Sequence, residues 1–419
     1  MDTTKPYPDL HDPQVNSRML AYTGRYEPEV HAWTWFDPDL VTRVLKEEPK
    51  EGALAGLAIG IKDIIDVAGM PTCNGLMRQT QTPLASTDAD CVSLLRQAGA
   101  IPVGKTVTAE MAYAHPGLTR NPWNLAHTPG GSSSGSAAAV ACGMVPAALG
   151  TQTGGSIIRP AAYCGVVGFK PTYGLVPLKG VTGASASLDT LGWLTTNVIL
   201  ADAIAQVLLP QQTAPACIDQ TALRIARVDA IYAAPDEDTK RVMRKACDTL
   251  SAAGVNVFRM DMENEWHALT RAHKTIMFYE MARAVHSEHA AEWTDLSTTL
   301  RAACEQGLHI DAADYRQALD IARSCATRLL EVFKDTDAII TPSAKGPAPH
   351  GLGSTGESTF NRVWTLLGWP AIHLPTSHSS DGLPLGVQLV GKPSADRKLL
   401  QIAGQIHPQI DRRQPFGSD

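Results

Sequence analysis

Two glycine–serine segments and one lysine contain the residues best suited to covalent chemistry. GGSSSGS spans residues 130–136, and TQTGGSIIRP spans residues 151–160. A serine hydroxyl is a weak nucleophile at its own pKa and needs an adjacent base. Lys62, in GIKDIID, is a charged residue near the end of an apolar strand. Burial at such a place lowers a lysine pKa toward neutrality, so these residues predict acyl transfer from a serine that a neutral lysine activates.

The second segment also offers a site for negative charge. The Gly154–Gly155 pair lets the backbone turn tightly just before Ser156, so that consecutive N–H groups can point inward. Such a row of amides stabilises the oxyanion of an acyl-transfer transition state. We expect Pro160 to begin the following helix, because proline suits a first helical position, and the helix dipole would strengthen the same field.

The sequence allows two roles for Lys62. Ser132 is placed to relay a proton between Lys62 and a nucleophile in the second segment, which would make Lys62 a general base. Alternatively, Lys62 forms a surface ion pair with Asp63 or Asp66.

Other functional motifs that resemble GGSSSGS would require different flanking residues. A P-loop requires a lysine directly after its glycines, and none follows here; the dinucleotide-binding glycine pattern is also missing. Residues 131–135 do fit G-x-S-x-G, which would make Ser133 the nucleophile of an α/β-hydrolase, with a late histidine such as His373. That fold requires a strand directly before the motif, whereas NPWNLAHTPG contains two prolines and predicts a loop.

Elements that could position these residues alternate along the chain. From about residue 54 to 192, short apolar runs, glycine turns and helical patterns predict an α/β sheet with helices on its faces. Residues 202–335 are more helical and more charged, and α/β patterning returns at about 337–401. We therefore predict a single domain, residues 1–419, with the helical segment as a wall or lid. Its stretch TIMFYEMARAV offers candidate pocket walls: Met277, Phe278, Tyr279 and Met281.

Local signals predict where several elements begin and end. Asp88 or Asp90 is expected to cap a helix whose C′ position is Gly99. IPVGKT and VPAALGTQT are expected to form strands, and the small residues of SGSAAAVACGM favour a helix packed closely on the sheet.

Bulk composition excludes several classes of protein. The chain has 419 residues, 44% hydrophobic and 19% charged, with a net charge of −6. No basic run favours nucleic-acid binding, and no apolar stretch reaches the roughly 18 residues of a membrane span. The polar N-terminus lacks the pattern of a signal peptide. We therefore expect a cytoplasmic protein, whose eight scattered cysteines are reduced thiols.

His286 and His289 could form a metal-ligand pair, but a solvated helix face explains these two histidines better. No metal or other cofactor is therefore expected.

Taken together, the motifs resemble those of the amidase signature family of Ser–cisSer–Lys hydrolases. The matching stretches are GLAIGIKDIIDVAGMPT, TPGGSSSGSAAAVA, GTQTGGSIIRPAAYCGVVGFKPTYG, SLDTLGW, DAIITPS and GWPAIHLP with GLPLGVQLVG. The resemblance implies that Ser156 is the nucleophile, that Ser132 is the bridging serine after a cis peptide, and that Lys62 is the base. It implies an oxyanion hole made by the backbone amides of Thr153, Gly154, Gly155 and Ser156. It also implies an α/β/α sandwich around a large mixed sheet, and a homodimer.

Two departures from the common family pattern D-T-G-G-S-I-R concern the substrate. Gln152 replaces the acid, and Arg159 lies one position later than usual. TQTGGSIIRP is similar to the malonamidase-like branch, in which the matching arginine binds the free carboxylate of a small amide. The expected substrate-binding residues are Arg159, Gln152 and Ser133. The alternative is that Arg159 pairs with a structural carboxylate.

The expected activity is hydrolysis of a small-molecule amide to acid and ammonia or amine. The alternative is the amide-cleaving subunit of an amidotransferase or another multi-enzyme complex. Because the chain ends soon after the last motif, an independent amidase is the expectation.

Overall fold

A computed structural model describes residues 7–44, 51–76, 82–113, 115–211, 218–288 and 290–413. Its strands form one eleven-stranded sheet. In chain order they are β1 (Trp33–Phe36), β2 (Ala58–Lys62), β3 (Ile101–Thr106), β4 (Ala147–Gln152), β5 (Val167–Lys170), β6 (Thr190–Thr195), β7 (Arg224–Arg227), β8 (Asn256–Arg259), β9 (Ala338–Pro342), β10 (Ala371–His378) and β11 (Pro384–Val390). Cys217 and His289 lie outside the described residues, so the predicted histidine pair has no structural account.

Helices account for much of the rest of the described chain. They are α1 (Pro13–Val30), α2 (Pro38–Val44), α3 (Asp90–Gln97), α4 (Ser134–Ala141), α5 (Ile158–Cys164), α6 (Val198–Leu208), α7 (Glu237–Ala252), α8 (Glu263–Glu288), α9 (Thr298–Leu308), α10 (Ala312–Val332), α11 (Thr359–Leu366) and α12 (Asp396–Ile410). In the described part of the chain, no helix is both long and apolar enough to cross a membrane.

The sheet is mixed, in the order β1-β3-β2-β4-β6-β5-β10-β11-β9-β7-β8. Strand β2 pairs in parallel with both β3 and β4. The carboxyl ends of parallel neighbours meet at one edge, so the residues that end β2 and β4 must lie side by side. This pairing brings Lys62 next to the second glycine–serine segment.

Both faces of the sheet are covered by helices, which confirms the predicted α/β/α sandwich. Alternate residues of a strand point to opposite faces. On β2, Ile59 and Ile61 join the largest apolar cluster with α3, α6, α7 and α12. Ala58 points the other way, into a cluster with α1 and α4. Farther along the sheet, Ile339 packs on that second side with residues of α8, α10 and α11.

Two predicted helix starts need correction. Helix α3 begins at Asp90 after Ala89, whose side chain makes no cap bond. Asp88 instead accepts a hydrogen bond from the Ala68 N–H and pairs with Arg96. Helix α5 begins at Ile158, two residues before Pro160. The prediction for Gly99 is confirmed, since it follows α3 with φ of +90°.

The segment predicted to be more helical, residues 202–335, also contributes to the sheet. Strands β7 and β8 pair in parallel and extend the sheet beyond β9. Helices α8, α9 and α10 then pack around a cluster that includes Ile276, Met281, Leu300 and Cys304. Hence the middle segment is anchored through strand pairing as well as through helix packing.

The contact between α8 and α9 gives the first testable prediction. A Cβ at Gly307 would overlap the Phe278 carbonyl oxygen, so Gly307→Ala must push α9 away from α8. We expect this overpacking to lower the free energy of unfolding by roughly 1–3 kcal/mol. The control is Gly24→Ala in α1, where a Cβ meets no atom within 4 Å. Alanine should raise stability there by about 0.5–1 kcal/mol. Urea unfolding of both variants measures these changes in the free energy of unfolding. Equal changes in Gly307→Ala and Gly24→Ala would contradict the close α8–α9 contact.

Candidate active site

Lys62 ends strand β2 and is completely buried. Its Nζ donates hydrogen bonds to Ser132 Oγ at 2.8 Å and to Thr151 Oγ1 at 2.7 Å. The surface ion pair considered above is therefore wrong. Asp63 is also buried and lies 3.5 Å from Lys105. The sheet thus places the Lys62 side chain, removed from solvent, against the first glycine–serine segment.

Burial lowers the pKa of Lys62 to about 7, and the nearby charge of Asp189 opposes this shift. Asp189 is buried and accepts hydrogen bonds from Thr153 Oγ1 at 2.5 Å and from the N–H groups of Ala184 and Ser185 at 2.7 and 2.8 Å. Burial raises the pKa of Asp189, while these hydrogen bonds favour its charged form. The balance gives Lys62 a large neutral fraction near neutral pH.

The first glycine–serine segment lies between β3 and β4. Its Gly131–Ser132 peptide is cis, as the family resemblance implied. The Ser132 carbonyl accepts a hydrogen bond from the Ala109 N–H at 3.0 Å. Helix α4 begins two residues later and buries its small side chains against the sheet. A Cβ at Gly135 would overlap the backbone of Val107, so this close approach requires glycine.

Ser133 points away from the cavity. Its Oγ donates to the Thr151 carbonyl at 3.3 Å, and its side chain is fully buried. This placement gives Ser133 no contact with a substrate in the cavity, which corrects the sequence-based expectation. It also removes the α/β-hydrolase interpretation, since His373 bonds Ser343 at 2.6 Å and is buried elsewhere in the sheet.

The second glycine–serine segment follows β4 and forms a turn toward the same edge. The Ser156 carbonyl accepts a hydrogen bond from the Ser133 N–H at 3.3 Å, which joins the two segments. A Cβ at Gly155 would lie 2.5 Å from Asn361 Oδ1 and 2.9 Å from Ser358 Cβ. Glycine is therefore required for α11 to pack directly over the turn. This packing fixes the row of amides that ends at Ser156.

Gln152 supports this turn from inside. Its Oε1 accepts from the N–H groups of Ile157 and Ile158 at 2.9 and 3.0 Å, which lack helical partners at the start of α5. Its Nε2 donates to Thr365 Oγ1 at 3.0 Å, and that hydroxyl donates in turn to the Gly154 carbonyl at 2.9 Å. The whole carboxamide is thus engaged in the fold. Gln152 therefore has a structural role in the turn. This corrects the expectation from sequence that Gln152 binds the substrate.

A cavity of about 340 Å³ opens beside Ser156. Of the predicted wall residues of α8, Met277, Phe278 and Met281 line it. Tyr279 does not, because its ring stacks on Tyr315 with centroids 4.1 Å apart. The full lining comprises Ala112, Tyr113, Thr153, Gly154, Gly155, Ser156, Arg159, Ala184, Lys274, Met277, Phe278, Met281, Thr355, Gly356, Ser358 and Arg362.

Arg159 lies on α5 and reaches the cavity while remaining almost entirely buried. Its Nη2 donates to the Gly131 carbonyl and, at 3.1 Å, to Thr355 Oγ1, while its Nε has no partner. Within the described ranges it forms no ion pair, so the alternative of a structural carboxylate partner is not supported. Burial lowers its pKa to about 10, and the proximity of Arg362 adds to this shift.

Several residues of the site were missed at the level of sequence. Thr151 and Asp189 lie within the motif stretches, but their residue types alone indicate no role. The parallel pairing of β2 and β4 would have pointed to Thr151. His273, in the middle of α8, donates its Nε2 proton to the Thr153 carbonyl at 2.8 Å. Burial lowers its pKa to about 3, so it stays neutral. No local sequence signal singles out His273, because α8 lacks a clear apolar stripe.

The Glu280 carboxylate links helix α8 to the loop that contains Ser185, Ser187 and Asp189. Glu280 of α8 accepts from Ser185 Oγ at 2.6 Å, from the Ser187 N–H and Oγ at 2.9 and 2.5 Å, and from the Tyr315 hydroxyl at 2.6 Å. Ser185 also donates its N–H to Asp189. Movement of α8 is thereby coupled to the loop that holds Asp189 beside Thr153.

Comparison with known proteins agrees with this geometry. Residues 17–400 match the Amidase family. One glutamyl-tRNA(Gln) amidotransferase subunit from Symbiobacterium thermophilum is 30% identical, over 94% of this chain and 93% of the relative. The putative amidase AmiB2 of Mycobacterium bovis is 34% identical, over 84% of this chain and 81% of that protein. A solved amidase structure aligns with a TM-score of 0.86 at 27% identity, covering 96% of both chains.

The chain therefore belongs to the amidase signature family. It is a hydrolase of carbon–nitrogen amide bonds. In the described part of the chain, no group of histidine, cysteine or acidic side chains is arranged to hold a metal ion.

The buried lysine gives a prediction about stability and pH. Its folded pKa, about 7, lies below the 10.5 of a free lysine, so between these values only the unfolded chain binds the proton. Lys62 therefore makes the free energy of unfolding rise as pH increases from 7 to 10, in addition to the effects of other groups. Over this range, the free energy of unfolding should gain roughly 2–4 kcal/mol less in Lys62→Met than in the wild type.

Urea unfolding at several pH values measures this difference. Lys240→Met, at an exposed lysine of α7, is the matched control and should keep the wild-type slope. Parallel curves for wild type and Lys62→Met would mean that Lys62 is protonated in the folded protein at neutral pH.

Proposed function

We propose that this protein hydrolyses a small amide through an acyl-enzyme on Ser156, with Lys62 as the base and Ser132 as the proton relay. The observation that carries the proposal is the buried Lys62 amine, hydrogen-bonded to Ser132 Oγ at 2.8 Å. A lysine with a pKa of about 7 can accept a proton at neutral pH, which an ordinary lysine cannot do efficiently.

In the first half of the reaction, Ser156 Oγ attacks the amide carbonyl carbon. Its proton passes to Ser132 Oγ while the Ser132 proton passes to Lys62 Nζ, so the relay ends as a lysine ammonium. The carbonyl oxygen becomes an oxyanion, and the backbone N–H groups of Thr153, Gly154, Gly155 and Ser156 stabilise it. Collapse of this intermediate breaks the C–N bond, and the relay returns the proton to the leaving nitrogen.

In the second half, water replaces Ser156 as the nucleophile. It attacks the ester carbonyl and delivers its proton along the same path to Lys62. The oxyanion forms again in the same turn, and the C–O bond to Ser156 breaks. Ser156 regains a proton, and the carboxylic acid product leaves.

We further propose that the substrate carries a free carboxylate, as in the malonamidase-like branch. Arg159 is buried beside Ser156, and its Nε has no partner. A guanidinium binds a carboxylate through two parallel hydrogen bonds, which favours an acid group over a neutral one. The cavity of about 340 Å³ suits a small acyl group.

A second candidate is favoured by the relative from Symbiobacterium thermophilum, whose name describes an amidotransferase subunit. In that case this chain would release ammonia to a partner protein. Gel filtration and co-purification distinguish the candidates, because an independent amidase elutes alone, as a monomer or as the homodimer implied by the family. A partner-dependent enzyme is active only in the complex.

The first test replaces the nucleophile. Ser156→Ala should reduce amide hydrolysis at least about a thousandfold, because no other group can form the acyl-enzyme. Ammonia release by the purified protein is the readout. Ser287→Ala, on the exposed end of α8, is the control and should retain wild-type activity. Substantial activity in Ser156→Ala would refute the assignment of the nucleophile.

The second test concerns the carboxylate. We expect malonamate to be hydrolysed far faster than propionamide, which lacks the acid group. Arg159→Gln should reduce kcat/KM for malonamate on the order of a hundredfold, and that for propionamide only slightly. Equal losses on both amides would show that Arg159 serves only to hold the Gly131 carbonyl and Thr355. Arg159→Lys keeps the charge and controls for a general loss of structure.

A further inference from the structure

The charge of the cavity exceeds what one carboxylate would require. Three cationic side chains line it, Arg159, Lys274 and Arg362. Among the lining residues that the structure describes, none is an aspartate or a glutamate. The proposed carboxylate clamp uses only Arg159. The positive charges of Lys274 and Arg362 would therefore have no matching negative charge in a substrate with one carboxylate.

Arg362 is held in a fixed place beside the oxyanion turn. It lies in α11, and its Nε donates a hydrogen bond to Ser358 Oγ at 2.8 Å. Ser358 lies over the turn, since a Cβ at Gly154 would be 3.4 Å from its Oγ and one at Gly155 2.9 Å from its Cβ. The Ser358 side chain thus lies between the Arg362 guanidinium and the backbone amides of the turn.

The terminal nitrogens of Arg362 have no protein partner in the described part of the chain, neither as an ion pair nor as a hydrogen bond. Tyr113, which also lines the cavity, and more weakly Glu357 favour the charged form of this guanidinium. The side chain of Glu357 is exposed and lies 4.0 Å from Lys345. Burial lowers the pKa of Arg362. A partly buried cation is costly when unpaired, so the free nitrogens favour an anionic ligand.

The positive charge of Arg362 also disfavours the charged form of Arg159. A single carboxylate at Arg159 would leave the charge of Arg362 uncompensated. Lys274 adds a third charge at the exposed side of the cavity, with its Nζ 5.5 Å from the Phe278 ring centroid. The cavity is therefore preorganised for a ligand with more than one negative charge.

We propose that Arg362 is a second anion-binding residue, and that the acyl part of the substrate carries two acidic groups, one bound by Arg159 and the other by Arg362. This inference rests on the proposed amide hydrolysis for its kinetic consequence, but not for the binding itself. The substrate class is the monoamide of a small tricarboxylic acid or an equivalent amide with two anionic groups.

Two pairs of probes test the proposal. Glutarate and tricarballylate differ by one carboxylate, and their affinities can be measured by calorimetry on the intact protein. Their monoamides, glutaramate and the terminal monoamide of tricarballylate, serve as the matched substrates. We expect tricarballylate to bind on the order of 10- to 100-fold more tightly than glutarate, and its monoamide to show the higher kcat/KM.

Variants of Arg362 identify the residue responsible. Arg362→Gln should remove the preference for tricarballylate over glutarate, and for its monoamide over glutaramate, through KM more than kcat. Arg362→Lys should retain part of the preference and guards against a folding defect. Arg323→Gln, at an exposed arginine of α10, is the control and should behave as wild type.

The outcomes separate this inference from the proposed function. Tight tricarballylate binding that depends on Arg362, without any amide hydrolysis, would support the anion site and refute the activity. Hydrolysis with equal preference for both monoamides would refute the second anion site alone. A loss of kcat on both monoamides in Arg362→Gln would mean that Arg362 only positions Ser358, which would also overturn the proposal.

Discussion

The arrangement of this site depends on one buried lysine, which forms no salt bridge with any residue in the described part of the chain. Lys62 is completely buried and hydrogen-bonded to two hydroxyls, those of Ser132 and Thr151. A charged ammonium would be expensive there, because hydroxyl groups compensate little of the lost hydration. The strand pairing of β2 with β4 enforces this position, since both strands end at the same edge. Asp189 then limits how far the pKa of Lys62 falls, and the result is a base near neutrality.

The turn that follows β4 is stabilised from several sides, so its backbone amides need no rearrangement during a reaction. Gln152 binds the first N–H groups of α5, and Thr365 lies against the Gly154 carbonyl. His273 binds the Thr153 carbonyl from α8. Each of these three contacts uses a neutral group. Preorganised dipoles of this kind are the main source of oxyanion stabilisation in acyl transfer.

Sequence predicted the sheet and its motifs well because these depend on local and repetitive signals. Apolar runs such as AIGIK and IPVGKT must form strands, and the glycines of the two segments mark close approach, as Gly135 and Gly155 demonstrate. The roles of Gln152 and Ser133 were misjudged because burial depends on partners far away in the chain. Gln152 contacts Thr365, more than two hundred residues later, and no motif in either segment encodes that contact.

In the proposed reaction, bond cleavage and substrate choice depend on different parts of the chain. Lys62, Ser132 and the turn all come from the first half, where the two segments lie against each other in the sheet. The cavity walls come from α8 and α11, which pack over the turn from the second half. Arg362 belongs to α11, so the charge of the cavity can change without disturbing Lys62. Glu280 nevertheless connects α8 to the loop that holds Asp189, and Ser358, directly before α11, packs against Gly155 of the turn. A change in α8 or α11 is therefore expected to alter which acid group is accepted before it alters how the amide bond is cleaved.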